Sequence, residues 1–372
     1  MASKSDLRRI LVVLPNWVGD VLLASPALAA LRQRFAAAHI AFLMRPHLAD
    51  VVAGCGWHDR ELFWPAARGP RGAWALRGLI AAIRADAFDA AALLTNSLRS
   101  ALVAWLARIP RRAGYARDGR GWLLTDRLRP LRRNGAFVPT PITPYYAAIV
   151  ERLGAPAPDL RLRLGVTPAQ EAAARALREH YGIGGERRYA VVNPGAAFGA
   201  AKCWLPERFA AVCRGLRRGL DLTPVIVGGP GEHALMRAVA EKAGGEAVCC
   251  VSPGTTLGSL KGLIRDASVL VCNDSGPRHY GVAFGVPTVT IFGPTDQRWT
   301  DTGYNGEVKL QAAVDCGPCQ LRTCPLDHRC MRQIGEEQVL AAVRGLLRDR
   351  AAGEQEQPAL VAALGPPPAP GG

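Results

Sequence analysis

Short aliphatic runs alternate with helix-length stretches along almost the whole chain, and this alternation restricts the fold more than any other feature of the sequence. "RRILVVL", "HIAFLMRP" and "DAAALLTN" in the first half, then "YAVVN", "TPVIVGG", "EAVCCVS", "SVLVCN" and "PTVTIFG" in the second, show little polar alternation. A strand apolar on both faces has to be covered on both, which is the situation of a parallel sheet between helices. Helical patterns such as "GLIAAIRADAF", "SLRSALVAWLARI", "PERFAAVCRGLRRGL" and "LGSLKGLIRDA" separate the runs, so the chain reads as successive βαβ units. The pattern lapses around "RLGAPAPDLRLRLGVTPAQ" and then restarts. The expected organisation is α/β, with one Rossmann-like domain over 1–165, a second over 166–350, and a Pro/Gly-rich tail over 351–372 that is expected to be disordered. Ligands of such sheets bind at the carboxyl ends of the strands, so two domains of this kind facing each other predict an inter-domain cleft.

No apolar run approaches the ~20 residues needed to span a bilayer. The start, "MASKSDLRRILVVLP", is too short in its apolar part for a secretory signal and no small-residue cleavage site follows. The expectation is a cytoplasmic protein that meets a membrane, if at all, from its surface. The formal net charge is +15, and residues 1–165 carry 24 Lys and Arg against 11 Asp and Glu, whereas 166–372 carry 22 against 20. A basic first half suits an anionic partner, and it equally suits Arg-rich solvated faces.

Four loops hold residues suited to chemistry. In "LPNWVGDVLLASPALAALRQRF" a carboxylate, Asp20, stands between a strand and a helix. Two helix starts compete there: Asp20 as N-cap with Pro26 kinking the helix, or Ser25 as N-cap with Pro26 at the first helical position. In "VLVCNDSGPRHYGVAFGVPTVTIFGPT" a strand ends at Asn273 and Asp274, Ser275 and Gly276 turn the chain, and a helix opens at Pro277 with His279 one turn in. The free amides and dipole of that helix start favour a phosphate, to which Ser275 adds a hydroxyl. The alternative is a helix capped by Asp274 or Ser275 after a buried strand. "VVNPGAAFGAAKCW" is a Gly/Ala loop with one lysine, Lys202, either a phosphate contact or a solvated side chain, and it lacks the G-K-[ST] ending of a P-loop. "IVGGPGEHAL" sets Glu232 after a glycine turn, where a carboxylate either holds ribose hydroxyls or complements a helix dipole. No G-x-G-x-x-G follows the first strand, which disfavours a dinucleotide oxidoreductase, and no Asp-x-Asp pair offers obvious ligands for a metal-held sugar diphosphate.

"PNWVGDVLLASPAL", "TNSLRSAL", "IPRRAGYARDGRGWLLTDR", "NPGAAFGAAKCWLPERF", "GGPGEH" and "NDSGPRHYGVAFGVPTVTIFGPT" together resemble, in order and from about residue 9 to 345, the lipopolysaccharide heptosyltransferases of glycosyltransferase family 9. The Trp-Val-Gly-Asp form of the first motif is more similar to enzymes that add the second core heptose (heptosyltransferase II) than to those that add the first (heptosyltransferase I). The resemblance implies a GT-B fold, with acceptor on the first domain and nucleotide sugar on the second. It implies an ADP-heptose donor, inversion at the anomeric carbon and no metal required for catalysis. By motif it implies Asp20 as general base, Lys202 as a phosphate contact, Glu232 on the ribose, and Asp274, Ser275, Gly276, Pro277 and His279 around the diphosphate. An acceptor bearing Kdo carboxylates and phosphates at the inner face of the inner membrane would meet Asn96, Arg117 and Arg120, with Arg111 and Arg112 behind them, since arginine binds such groups bidentately. Residues 101–150 hold nine Lys and Arg against two acids. Two positions depart from the family pattern: Tyr280 replaces a small aliphatic and Gly335 replaces a common helix cap.

"DCGPCQLRTCPLDHRCM" places Cys316, Cys319, Cys324 and Cys330 close together. Such spacing can hold a structural zinc tetrahedrally, and it equally fits reduced thiols in a surface loop. A nucleic-acid-binding protein is the competing class raised by a pI near 9.8, but no RRM, KH or helix-turn-helix signature occurs and aromatic residues make up only 6%, too few for stacking platforms. A nucleotide-sugar 2-epimerase would bring paired carboxylates and further histidines, which the loops lack.

Overall fold

The computed structural model describes residues 7–67, 69–185 and 187–353. The chain divides into two compact units, one running to Arg163 and including Arg298–Thr302, the other covering Leu164–Gln297 and resuming at Gly303.

The first unit holds β1 (Arg9–Val13), α1 (Val18–Leu23), α2 (Ser25–Arg34), β2 (His39–Met44), α3 (Ala49–Val52), β3 (Arg60–Phe63), α4 (Gly69–Ala85), β4 (Ala90–Leu93), α5 (Leu98–Leu106), β5 (Arg111–Tyr115), β6 (Asp126–Leu128), a small hairpin β7 (Arg132–Arg133) and β8 (Ala136–Phe137), and α6 (Ile142–Leu153). Its sheet runs β3-β2-β1-β4-β5-β6, all parallel. The central strands β1 and β4 are wholly apolar in their buried parts. Against one face pack Ile83 of α4 and Ala101, Val103 and Ala104 of α5.

The second unit repeats the plan with α7 (Pro168–Tyr181), β9 (Tyr189–Asn193), α8 (Pro206–Leu220), β10 (Thr223–Ile226), α9 (His233–Lys242), β11 (Val248–Cys249), α10 (Leu257–Arg265), β12 (Val269–Asn273), α11 (Gly276–Phe284), β13 (Thr288–Phe292), β14 (Glu307–Gln311), α12 (Arg329–Arg332) and α13 (Glu336–Ala351). The strand order is β11-β10-β9-β12-β13-β14, again parallel throughout. Thr167 caps α7 in a reciprocal box with Gln170, Pro168 takes the first helical position, and Gly182 ends the helix in the left-handed conformation at φ 62°. Trp204, Phe209, Val212 and Leu216 bury α8 against β9, β12 and α13 in one core. Both sheets therefore have the doubly wound order in which the central strands deliver their loops to a ligand.

Neither sequence-based start for the first helix is the one adopted. The backbone turns helical at Val18, with Trp17 in the N-cap position and no side-chain cap. Asp20 is therefore the third helical residue. A one-residue break at Ala24 separates α1 from α2, Ser25 opens α2, and Pro26 is second. The Ser25 hydroxyl instead accepts the backbone amide of Arg163 at 2.9 Å. Gly335, which departs from the family pattern, still begins α13 in order, its amide donating to Gln338 Oε1 at 2.7 Å. Of the tail expected over 351–372, residues 351–353 finish α13 and its turn, and the rest lies outside the described residues. Among the described residues no helix is long and apolar enough to cross a membrane.

Candidate active site

In the second unit the loops after β9, β10 and β12 come together at the carboxyl ends of those strands. Asn273, at the end of β12, is fully buried; its Nδ2 donates to Pro194 O at 2.7 Å and its Oδ1 accepts the Trp204 amide at 3.1 Å. One side chain thus pins both ends of the Gly/Ala loop that carries Lys202. Glu232 joins the third loop: its Oε2 accepts the Gly229 amide at 2.8 Å, and its carboxylate lies so close to Gly195 that a Cβ there would stand 2.0 Å from Oε1. Only glycine at 195 lets these two loops meet.

Lys202 does not extend into solvent. Its ammonium donates to Asp274 Oδ2 at 2.5 Å and to Asp274 O at 3.1 Å, and lies 5.0 Å from the Phe198 ring centre. Asp274 is 5% exposed, and its carboxylate is fully engaged: Thr295 Oγ1 donates to Oδ2 at 2.8 Å and Arg278 reaches Oδ1 at 3.4 Å. Burial alone would push this carboxyl up, yet Lys202 and Arg278 beside it hold it below the usual carboxylate range. Arg278, wholly buried, forks onto Glu307 of β14 through Nε at 2.5 Å and a terminal nitrogen at 3.0 Å. Asp274 thus faces inward as the group that orients Lys202, a different place from the direct diphosphate contact expected of it.

The start of α11 has the features of an anion site. Ser275 is the N-cap residue by backbone geometry, but its side chain makes no capping bond and donates instead to Asn193 Oδ1 at 3.1 Å. Ser275, Gly276 and Pro277 are partly exposed and no side chain caps the helix; Pro277 has no N–H to offer and Arg278 has no exposed surface, so any amide contact falls to Ser275 and Gly276. His279 is buried one turn in, and its Nδ1 has no hydrogen-bond partner. Burial, followed by the neighbouring Arg278 charge, holds His279 well below the usual histidine range, so at pH 7 it is neutral. Since the unfolded chain binds a proton near pH 6.5 and the folded chain does not, the stability due to this histidine is complete above about pH 6.5 and is lost as pH falls below it, by up to ~1.4 kcal/mol per pH unit. His279→Asn is expected to flatten the fall in melting temperature between pH 6.5 and 5. An unchanged slope would show that the ring is not held neutral.

The cysteine-rich segment braces this site. Arg322 O accepts the Ala201 amide at 3.0 Å, His328 Nε2 lies 2.9 Å from Ala201 O, and the Arg322 guanidinium shares the Phe198 ring with Lys202. Trp204 Nε1 donates to the carbonyls of Met331 and Ile334. All ten cysteines are free thiols. Burial, then the neighbouring Cys324, Cys316 and Cys319, push the Cys330 thiol up. Among the described residues no group of three or more His, Cys, Asp or Glu side chains is gathered as a metal site.

In the first unit Asp20 is partly exposed on the first turn of α1, just beyond the carboxyl end of β1. Burial first, and then the Asp20 charge, push the wholly buried Tyr146 phenol well above its usual range. Asn96, after β4, accepts the Tyr145 hydroxyl at 2.9 Å, and Tyr145 stacks on Tyr115 with centroids 3.6 Å apart. Arg117 is partly exposed, its guanidinium 3.8 Å from the Phe137 ring centre, while its Nε is buried without a hydrogen-bond partner. Arg120 is placed otherwise. It has no exposed surface, and its guanidinium donates to Tyr115 O, Thr95 O and Asn96 Oδ1. It ties the end of β4 to β5 and positions Asn96. Direct contact with an acceptor, expected from the sequence, is closed to it. Gly114 makes room for it: a Cβ there would be 3.1 Å from the guanidinium.

Two doubly wound sheets, one presenting a partly exposed carboxylate and the other a lysine beside a helix start without a side-chain cap, each set candidate chemistry at the carboxyl ends of their strands. Residues 76–329 match glycosyltransferase family 9 (heptosyltransferase), and the chain belongs to that family. It is similar to lipooligosaccharide heptosyltransferase 2 of Campylobacter jejuni, 33% identical over 42% of this chain and 50% of that one. The lipooligosaccharide heptosyltransferase 2 of Haemophilus influenzae is 27% identical over 78% of this chain and 85% of its own. This chain therefore spans about half the length of the Campylobacter relative and most of the Haemophilus one. The solved structure of E. coli ADP-heptose lps heptosyltransferase II superposes with a TM-score of 0.75 at 22% identity, covering 92% of this chain and 99% of that one.

Proposed function

We propose that the protein transfers a heptose from ADP-L-glycero-D-manno-heptose, with inversion, to the inner core of lipopolysaccharide, as the second core heptose. The similarity to heptosyltransferase 2 proteins over most of the chain supports the donor and the acceptor class. The observation that carries the chemistry is Lys202, held by Asp274 beside the uncapped start of α11. Charge that develops on a leaving diphosphate is met there by an ammonium already in place and by the positive end of the helix, so little reorganisation is needed in the transition state. Glu232 is assigned to the ribose hydroxyls, a role that strand-end carboxylates take in such folds. Asp20 takes the proton from the attacking acceptor hydroxyl, and an inverting transfer needs only that one base. Arg117 and Asn96 receive the acceptor, whose Kdo carboxylates and phosphates match the basic first unit. The enzyme works at the inner face of the inner membrane, where such a lipid-borne acceptor is made.

Two measurements test this. ADP-, UDP- and GDP-sugars offered with Kdo-lipid acceptors bearing no heptose or one heptose should give transfer only from ADP-heptose to the one-heptose acceptor. Transfer from a UDP- or GDP-sugar, or preference for the heptose-free acceptor, would reject the assignment. Lys202→Ala should weaken ADP binding about tenfold or more, the usual cost of a charge-assisted contact. Calorimetry showing unchanged affinity would remove Lys202 from the diphosphate site.

A further inference from the structure

The outer surfaces of α4, α5 and the turn after β5 carry large apolar side chains in the open. Trp74 on α4 is 78% exposed, Trp105 on α5 46%, Leu98 on α5 46%, and Trp122, in the turn packed against α5, 64%. Trp105 and Trp122 meet edge to face with centroids 6.2 Å apart, so they form one aromatic projection. Arg71, Arg77 and Arg84 on α4, Arg99 on α5 and Arg108 just after it are exposed as well. Residues 62–85 and 90–117 contain four and five arginines and no Asp or Glu at all. Beside Trp105 opens a pocket of about 480 Å³ lined in part by Arg84, Arg108 and Arg112, none of which makes an ion pair among the described residues.

We propose that this face docks on an anionic lipid bilayer, the arginines meeting headgroup phosphates and the tryptophans settling at the interface. Indole rings combine an apolar body with one polar N–H, which suits the boundary between headgroup and acyl chain. Arginine-rich, acid-free helical faces with exposed tryptophan bind anionic membranes through combined apolar burial and charge attraction. The charge pattern also selects against a second copy of the chain as occupant, because a two-fold contact would set the same arginines against one another with too few carboxylates, Asp118 beside Trp122 among them, to pair them. The inference deepens the proposed function by assigning the surface through which an enzyme with a lipid-borne acceptor reaches that lipid, and it rests on that reading.

The test uses the full chain and sucrose-loaded vesicles of phosphatidylcholine, with or without one-quarter phosphatidylglycerol. Binding is expected to the anionic vesicles only and to weaken with salt. Trp74→Ser/Trp105→Ser/Trp122→Ser and, separately, Arg71→Glu/Arg77→Glu should each lower partitioning at least tenfold while melting as the parent does. Transfer to a delipidated, soluble acceptor should be unchanged in both variants, and transfer to the same acceptor embedded in vesicles should fall. Parent protein that ignores anionic vesicles, variants that bind as the parent does, or a dimer that the tryptophan variant dissolves would each overturn the proposal. Failure of the parent to transfer heptose to either acceptor would instead sink the functional reading and leave the vesicle result to stand by itself.

Discussion

Asp20→Asn is expected to lower kcat about 10²- to 10³-fold while leaving ADP affinity and thermal stability near the parent values. The magnitude is that of removing a general base from a proton transfer in the transition state. Stability is expected to hold because Asp20 is the third residue of α1 rather than its N-cap and is partly exposed, and Asn keeps its shape. Steady-state kinetics with saturating donor and varied acceptor give the reading. A kcat within a few-fold of the parent would show that another group takes the proton.

The second large effect is structural. Glu307→Gln should cost about 3–5 kcal/mol of stability, because it leaves the guanidinium of Arg278 buried without its principal counter-charge. Neither side chain has exposed surface, and Glu307 also accepts the Thr290 hydroxyl at 2.6 Å. Asp274, at 3.4 Å from Arg278, would then be drawn between that cation and Lys202. ADP affinity should fall together with stability, although Glu307 is placed outside the phosphate loops. Denaturant titration reads the first effect and calorimetry the second. A loss below 1 kcal/mol would mean that Arg278 finds compensation elsewhere.

The contrast between these residues shows what the sequence makes legible. Central strands such as β1, β9 and β12 announce themselves, since burial on both faces leaves an unbroken apolar run. The two-sheet plan and the loops after β9, β10 and β12 follow from them. The edge strands do not. "RELF", "DRL" and "EVKLQ" carry charges that blunt a sheet edge, and those charges read as loop. Glu307 stands on such an edge, so its pairing with the interior Arg278 has no local signal. Arg120 misleads in the opposite direction. It sits in a basic, glycine-rich segment that looks solvated, and only the tertiary fold turns it inward onto the carbonyls of Thr95 and Tyr115. The Asn at the end of β12 was visible as a strand terminus, but its hold on both Pro194 and Trp204 depends on contacts 69 and 79 residues away.

The repeated strand order gives both units an equivalent corner. The one after the first central strand leads to a carboxylate, Asp20, and the one after β9 leads to an ammonium, Lys202. The same corner of the same strand order thus holds side chains of opposite charge: the scaffold supplies the position and leaves its sign open.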